Sequence, residues 1–269
     1  MCRDYLLHDA ASGSMEDMSF EVGADAYGRF MGRFSRPLAE QFVELVGVEP
    51  GQRVLDVGCG SGALTAVVVA RVGVDRVSAV DPSASFVEVV RTAFPTMDVR
   101  RSAAESLPFP DRFFDAVLAQ LVVHFMTDPV GGIAEMARTT APGGVVAASV
   151  WDHAGDKGPL AVFWSAARSL DPSAPHESHL PGVAEGHLAE LFTTAGLPDV
   201  ASSSLTVAVE HPNFEDWWDP FTLGVGPAGD YVAGLDDAGR DALRDRCRQM
   251  LPNAPFHTDA LAWTAIAHV

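Results

Sequence analysis

The sequence predicts an α/β fold: a mostly parallel sheet of seven strands with helices on both faces. Three observations carry this. Apolar, strand-like runs alternate with helical ones up to Trp151. The first clear run, Val54 to Val57, passes directly into Gly58-Cys59-Gly60-Ser61-Gly62 and then into an Ala/Val-rich helix from Ala63 to Val72. The next run, Val77 to Val80, ends in Asp81, nineteen residues past Gly62.

In chain order, a helical N-terminal region ends near Gly47, and strands are expected at about 53–58, 76–81, 98–102, 114–121 and 144–151. Helices at about 63–72, 83–93 and 128–139 lie between them. Ala141-Pro142-Gly143-Gly144 reads as a sharp turn before a buried strand. A further helix from Glu185 to Ala195 stops at Gly196, a strand follows at 200–210, and a last strand runs from Leu261 to His268. Two segments fall outside this alternation. Residues 153–184 are rich in Pro, Gly and His around Val162-Phe163-Trp164, and residues 211–259 carry Trp217, Trp218, Phe221 and a charged helix. The expected organisation is a lid at 1–47, an α/β core at 48–152, a cap insertion at 153–184, more core at 185–210, a second cap insertion at 211–259 and a final core strand at 260–269. Both insertions leave the sheet near the edge where ligands bind in open α/β sheets, so with the lid they are expected to cover a pocket. Their tryptophans either line that pocket or pack the cap onto the core.

The glycine loop is the most informative stretch. Glycines at alternate positions let the backbone turn tightly and let a ligand approach the main chain without meeting a Cβ. An acid at the tip of the neighbouring strand, Asp81, is placed to take the two hydroxyls of a ribose. The loop reads Gly58-x-Gly60-x-Gly62 rather than the G-x-G-x-x-G of dinucleotide sites, and Asp56 precedes it by two residues. A carboxylate there repels a pyrophosphate and attracts an ammonium. An NAD-dependent oxidoreductase is the weaker reading of the same glycines.

The strings "VLDVGCGSG" and "AVDPS" closely resemble the first two motifs of class I S-adenosylmethionine (SAM) dependent methyltransferases. The resemblance covers residues 50–150 and, less closely, 185–210, and it includes the "APGG" turn. It implies a Rossmann-like fold with SAM as cofactor and S-adenosylhomocysteine as product. By the same resemblance Gly58, Gly60 and Gly62 cradle the methionine part, Asp56 lies beside it, and Asp81 with Pro82 holds the ribose. Ser102 to Asp111 is similar to the adenine-flanking segment, which puts Ala104 and Glu105 against the base, with Glu105 accepting from the exocyclic amine. Phe86 either covers the adenosine or packs its helix. Tyr27 and Arg33, in the segment Ala26 to Arg33, resemble the family's N-terminal lid: a tyrosine over the cofactor and an arginine on the methionine carboxylate.

Strand four continues through Gln120, another cofactor-side candidate, to Leu121-Val122-Val123-His124-Phe125. The Asn/Asp-Pro-Pro-aromatic motif of amine-methylating enzymes acting on nucleic acid or glutamine is missing there, and no cysteine follows a proline as pyrimidine-carbon methylation requires. The segment is similar instead to small-molecule enzymes of the ubiquinone/menaquinone-biosynthesis-like group, in which a histidine often follows strand four. Methyl transfer is an in-line displacement, so the protein must align the acceptor and, for protonated O or N acceptors, remove a proton. His124 is the first candidate for that proton and His153 the second; each is also readable as a packed, hydrogen-bonded histidine. The acceptor atom stays open between O, N and C.

Composition narrows the partners. With 18 Lys and Arg against 36 Asp and Glu, net charge −18, the chain lacks the cationic surface that phosphate-backbone binding needs, and no nucleic-acid substrate is expected. The arginines at 240–248 alternate with aspartates, as on a solvated helix face. No apolar run is long enough for a membrane span, and Met1 to Met18 lacks the apolar segment of a secretory signal and reads as a mobile tail. Cys2, Cys59 and Cys247 are scattered without a C-x-x-C pair, which fits a reducing compartment, and a cytoplasmic location is expected by default. His176 and His179 lack a third ligand at helical spacing, and the acidic trio of magnesium-dependent catechol methylation is missing, so no metal is expected. The chain is thus expected to methylate a small aromatic or apolar metabolite. The alternatives are a SAM-binding enzyme that catalyses a cyclisation or rearrangement, with the sulfonium acting only electrostatically, and a non-catalytic SAM-binding regulatory subunit.

Overall fold

A computed structural model describes residues 28–269. Tyr27, Cys2 and the expected tail lie outside the described residues. Among the described residues, no helix is long and apolar enough to cross a membrane.

A helical turn at Gly28–Gly32 leads into α1 (Arg33–Val46). The core follows as β1 (Val54–Val57), α2 (Ala63–Val72), β2 (Val77–Asp81), α3 (Ala84–Ala93), β3 (Asp98–Arg101) and β4 (Phe114–Gln120), then α4 (Pro129–Thr139) and β5 (Thr140–Trp151). The rest comprises α5 (Ala161–Leu170), α6 (His187–Thr194), β6 (Ala201–His211), α7 (Phe214–Trp218), α8 (Gly226–Gly234), α9 (Asp237–Met250) and β7 (Phe256–His268). The seven strands form one sheet in the order β3-β2-β1-β4-β5-β7-β6. The pairs among β1 to β5 are parallel, and β7 runs antiparallel to both β5 and β6.

Burial explains why the central strands read as continuous apolar runs. Every residue of β1 and β2 is buried, as expected for parallel strands covered on both faces. On one face α1 and α2 contribute Phe42, Val43, Leu64 and Val68 to a core with Val54, Ala79 and Leu118. On the other, α4 and α6 bring Ile133, Met136, Leu188 and Phe192 against Leu55, Val80, Val117 and Val146. A third apolar cluster is separate from these. It joins Phe30 to Phe163 and Trp164 of α5, Trp217 and Trp218 of α7, Phe221, and Leu243 and Cys247 of α9. The start of the described chain and residues of the 153–184 and 211–259 segments therefore share one core.

Two element boundaries differ from expectation. β5 begins at Thr140, not after the Ala-Pro-Gly-Gly turn, because that stretch pairs with the chain terminus: Gly143 N donates to Val269 O (2.7 Å) and Val269 N to Gly144 O (3.1 Å). The turn character is absorbed by Gly143 at φ 79° and by a register shift between Phe114 and Ala116. β7 starts at Phe256, not Leu261, because its ladder with β6 continues to His211 opposite Phe256.

Candidate functional site

The loop after β1 is pinned to the tip of β2. Gly58 N and Cys59 N both donate to Val80 O, at 2.8 and 3.0 Å. Gly58 has φ 73°, and a Cβ added to it would run into the methyls of Val122, so the residue beyond β4 packs directly on the loop. At Gly60, φ 50°, a Cβ would meet nothing within 4 Å, which leaves the main chain approachable. The Asp81 carboxylate holds this loop in shape: Oδ2 accepts from Gly60 N (2.9 Å) and Oδ1 from Ser83 N (2.8 Å). Burial raises its pKa, against the lowering effect of those two N–H groups.

Asp56 lies beneath the loop rather than beside it, fully buried on β1. Thr65 Oγ1 of α2 donates to its Oδ2 at 2.6 Å, while Oδ1 has no hydrogen-bond partner. Burial, chiefly, and the nearby Asp81 push its pKa up to about 7. Burial likewise drives the Cys59 thiol far up, so the thiolate a nucleophile needs is not available there.

Past β3, Ala104 is buried against the α4 side of the core. Glu105 is half-buried, and its Oε1 accepts from Asp128 N (3.1 Å) just before α4. Arg138 of α4 clamps the following loop through the carbonyls of Leu107 and Phe109, both at 3.0 Å, and through Asp111. Pro82 is exposed, its carbonyl accepting from Arg101 Nε (2.8 Å), and Phe86 is buried on α3.

At the end of β4, Gln120 Nε2 donates to Ser35 O of α1 (2.9 Å), and its buried Oε1 is without a partner. Leu121 then adopts φ 63°, and the chain turns through a 3₁₀ segment, Val123–Phe125, that carries His124. His124 is 4% exposed and its Nδ1 has no hydrogen-bond partner. Its ring stands 5.8 Å from that of His153, just beyond β5, so the two histidines singled out from the sequence meet. Burial first, and then His153, hold the His124 pKa well below its ordinary value. His153 is also lowered by burial, with Glu177, Asp152 and Asp156 pulling the other way.

Glu177 was not among the expected site residues. Its Oε2 lies 4.0 Å from His153 Nδ1 and accepts from Trp164 Nε1 at 3.1 Å. The sequence gives no spacing signal for it, because a loop and a helix intervene between Glu177 and β5. The Arg33 guanidinium is engaged beyond β6, with Nη1 2.9 Å from Asp216 Oδ2, 3.1 Å from Asp216 O and 3.3 Å from His211 Nδ1. A carboxylate five residues beyond the end of β6 won it by Coulomb attraction that no local pattern reveals. Trp218 is buried in the third apolar cluster, whereas Trp217 also lines a small cavity with Phe30, Phe34, Leu160 and Phe221, and Trp164 lines the pocket that holds His153 and Glu177. Among the described residues no group of His, Cys, Asp and Glu could hold a metal ion.

Comparison with known proteins bears on the domain and the fold. Residues 55–148 match the family described as Methyltransferase domain. An uncharacterized methyltransferase of Mycobacterium tuberculosis is 37% identical over 131 residues, 49% of this chain and 52% of that protein. The demethylmenaquinone methyltransferase of Renibacterium salmoninarum is 38% identical over 111 residues, 41% of this chain and 46% of that one. The chain thus spans about half the length of these curated relatives. Among solved structures, the YcgJ protein of Bacillus subtilis has a TM-score of 0.54 at 18% identity, covering 86% of this chain and 98% of its own, which speaks to the fold. Residues 55–148 thus match a methyltransferase domain, and the seven-stranded sheet around them has the α/β Rossmann-like fold of its structural neighbours.

Proposed function

We propose that this protein transfers the methyl group of SAM to a small, aromatic or apolar metabolite. The observation that carries the reading is the Gly58–Gly62 loop held open at Gly60 by Asp81, inside a methyltransferase domain. The residues present fit the cofactor. The bare main chain at Gly60 suits close approach of the methionine part. Each Asp81 oxygen has one backbone partner and retains capacity for a ribose hydroxyl, since a carboxylate accepts about four hydrogen bonds. The unpartnered oxygens Asp56 Oδ1 and Gln120 Oε1 are buried acceptors of the kind an ammonium satisfies, directly or through water. Pro82 and Phe86 would flank the adenosine, and Ala104 and Glu105 its base. When bound, SAM supplies a methyl group on a positively charged sulfur.

The chain's own part is to align the acceptor and take its proton. His124 is buried, which holds its pKa well below the ordinary value and favours the neutral ring, and it follows the same strand end from which Val122 packs against the glycine loop. The net charge of −18 and the third apolar cluster support a small uncharged acceptor over a nucleic acid. The name of the Renibacterium relative, a demethylmenaquinone methyltransferase, is in keeping with such an acceptor.

Calorimetric titration with SAM, S-adenosylhomocysteine and NAD in parallel tests the cofactor. Binding of the first two without NAD is expected, and binding of NAD alone overturns the reading. Radiolabelled SAM with a panel of phenols, quinols and amines then tests transfer. Label in product is expected, whereas product without label points to the cyclisation or rearrangement chemistry.

A further inference from the structure

We propose that His153 and Glu177 form an exit for the proton that a methyl acceptor loses to His124, with Glu177 as a positioning residue acting through His153. The proposal rests on the methyl-transfer reading above. As the acceptor's oxygen or nitrogen bonds to the methyl carbon, the carbon–sulfur bond of the donor breaks and its electron pair stays on sulfur. The acceptor's proton then passes to the neutral His124 ring, on to His153 and out to solvent.

Burial creates the need for such a route. His124 is 4% exposed, and a protonated imidazole there would be an uncompensated buried charge. His153 is the titratable ring next to it. The ring centroids are 5.8 Å apart, a separation that direct contact or one bridging oxygen spans. His153 also lines a polar pocket with Asp156, Arg168, His176 and Glu177. The rim of that pocket, Asp156 and His176, is exposed to solvent.

The carboxylates around His153 are not equivalent. Asp156 is paired with Arg168 at 2.9 Å. Asp152 has Lys157 at 3.9 Å and accepts from Gly155 N. Glu177 has a neutral donor, the Trp164 indole N–H at 3.1 Å, and faces His153 Nδ1 at 4.0 Å, a charge contact longer than a hydrogen bond. Both partners are nearly buried, with side chains 8% and 11% exposed. A carboxylate in that setting, without a cationic partner among the described residues, is stabilised when the neighbouring imidazole takes up a proton. Its fixed charge lowers the cost of moving the proton outward from His124 to His153. Trp164 fixes the carboxylate in place.

The test is an NMR pH titration of the full chain with ¹⁵N-labelled histidine, comparing wild type, Glu177→Gln and Trp164→Phe. Glu177→Gln keeps the acceptor for the indole but removes the charge, so the His153 midpoint is expected to move to lower pH. Trp164→Phe keeps the charge and frees it from its neutral donor, so the midpoint is expected to stay or rise. An unmoved midpoint in Glu177→Gln, or a fall of equal size in both variants, overturns the proposal, the latter because a general disturbance of packing acts in one direction. SAM titrated into wild type and both variants separates the two readings. Equal affinity in all three is expected. A wild-type protein that fails to bind SAM removes the methyl-transfer reading while the histidine titration still reports on the His153–Glu177 pair.

Discussion

Along the carboxyl edge of the sheet, the β1–β2 side holds its polar groups by the main chain, whereas the β4–β5 side assembles them from side chains far apart in sequence. On the first side, Gly58, Cys59 and Gly60 are tied to Val80 and Asp81 by three backbone N–H groups within one strand–loop–helix unit and its neighbour. On the second, His124, His153, Glu177 and Trp164 come from a 3₁₀ turn, a strand end, a loop and α5. On the proposed function, the difference corresponds to a locally encoded cradle for the cofactor and a pocket for the acceptor built from segments distant in the chain. It also implies that damage on the two sides will separate in experiments: binding of SAM on one, turnover on the other.

The largest expected effect lies on the side-chain half. His124→Ala should lower turnover about 10²- to 10⁴-fold, the usual worth of a positioned general base, with little change in SAM affinity. Wild-type turnover would remove the base role and break the division between the two sides. Next is the main-chain half. Gly58→Ala places a Cβ against Val122 at a left-handed backbone position. Strain of about 1–2 kcal/mol and overpacking of about 1–3 kcal/mol should together lower Tm by about 5–15 °C, read by calorimetry. An unchanged Tm would mean that the loop can move off Val122.

Asp81→Asn should weaken SAM binding about ten- to a hundredfold, the loss of charge-assisted hydrogen bonds worth about 1.5–3 kcal/mol. Because Asp81 also holds Gly60 N, a Tm measurement in the absence of SAM separates loss of ligand contact from loss of loop shape.

These effects map onto what the sequence could convey. The alternation of strands and helices, the glycine loop and Asp81 were legible because each depends on residues close in the chain, with spacing fixed by strand and helix geometry. His124 and His153 were legible as strand-end histidines, but their approach to 5.8 Å depends on β4 and β5 pairing in register. Glu177 was not legible, because a Pro-rich loop sets its position and loops carry no periodic signal. Asp56 was placed correctly on its strand, but its burial under the loop follows from α2 packing over β1, where Thr65 reaches it.

That burial gives a pH test of the main-chain half. The Asp56 carboxyl titrates at about 7 when folded, against about 3.9 in an unfolded chain. Between those values the folded state holds a proton that the unfolded state has lost, so the stabilisation is full below the lower value and disappears as pH rises through the upper one. Asp56→Asn keeps the shape without titrating. The Tm of the wild type relative to this variant should therefore fall as pH is raised from about 4 to about 8. A constant difference would mean that Asp56 stays ionised and that its unpartnered oxygen is hydrated.

The smallest effect is expected at Arg33, and it bears most directly on where the two sides meet. α1 is the element that touches both: Ser35 O receives Gln120 at the end of β4, while Arg33 two residues earlier holds Asp216 and His211 of the cap. The resemblance in sequence assigns Arg33 to the cofactor's carboxylate, whereas its geometry assigns it to the cap. Its side chain and that of Asp216 are about a third exposed, 27% and 30%, so the pair contributes no more than about 1 kcal/mol and Arg33→Ala should lower Tm by only a few degrees. SAM affinity should stay at the wild-type value, since the guanidinium already has its partner. A tenfold loss of SAM affinity would show instead that Arg33 leaves Asp216 when the cofactor arrives, making the lid arginine part of the main-chain half after all.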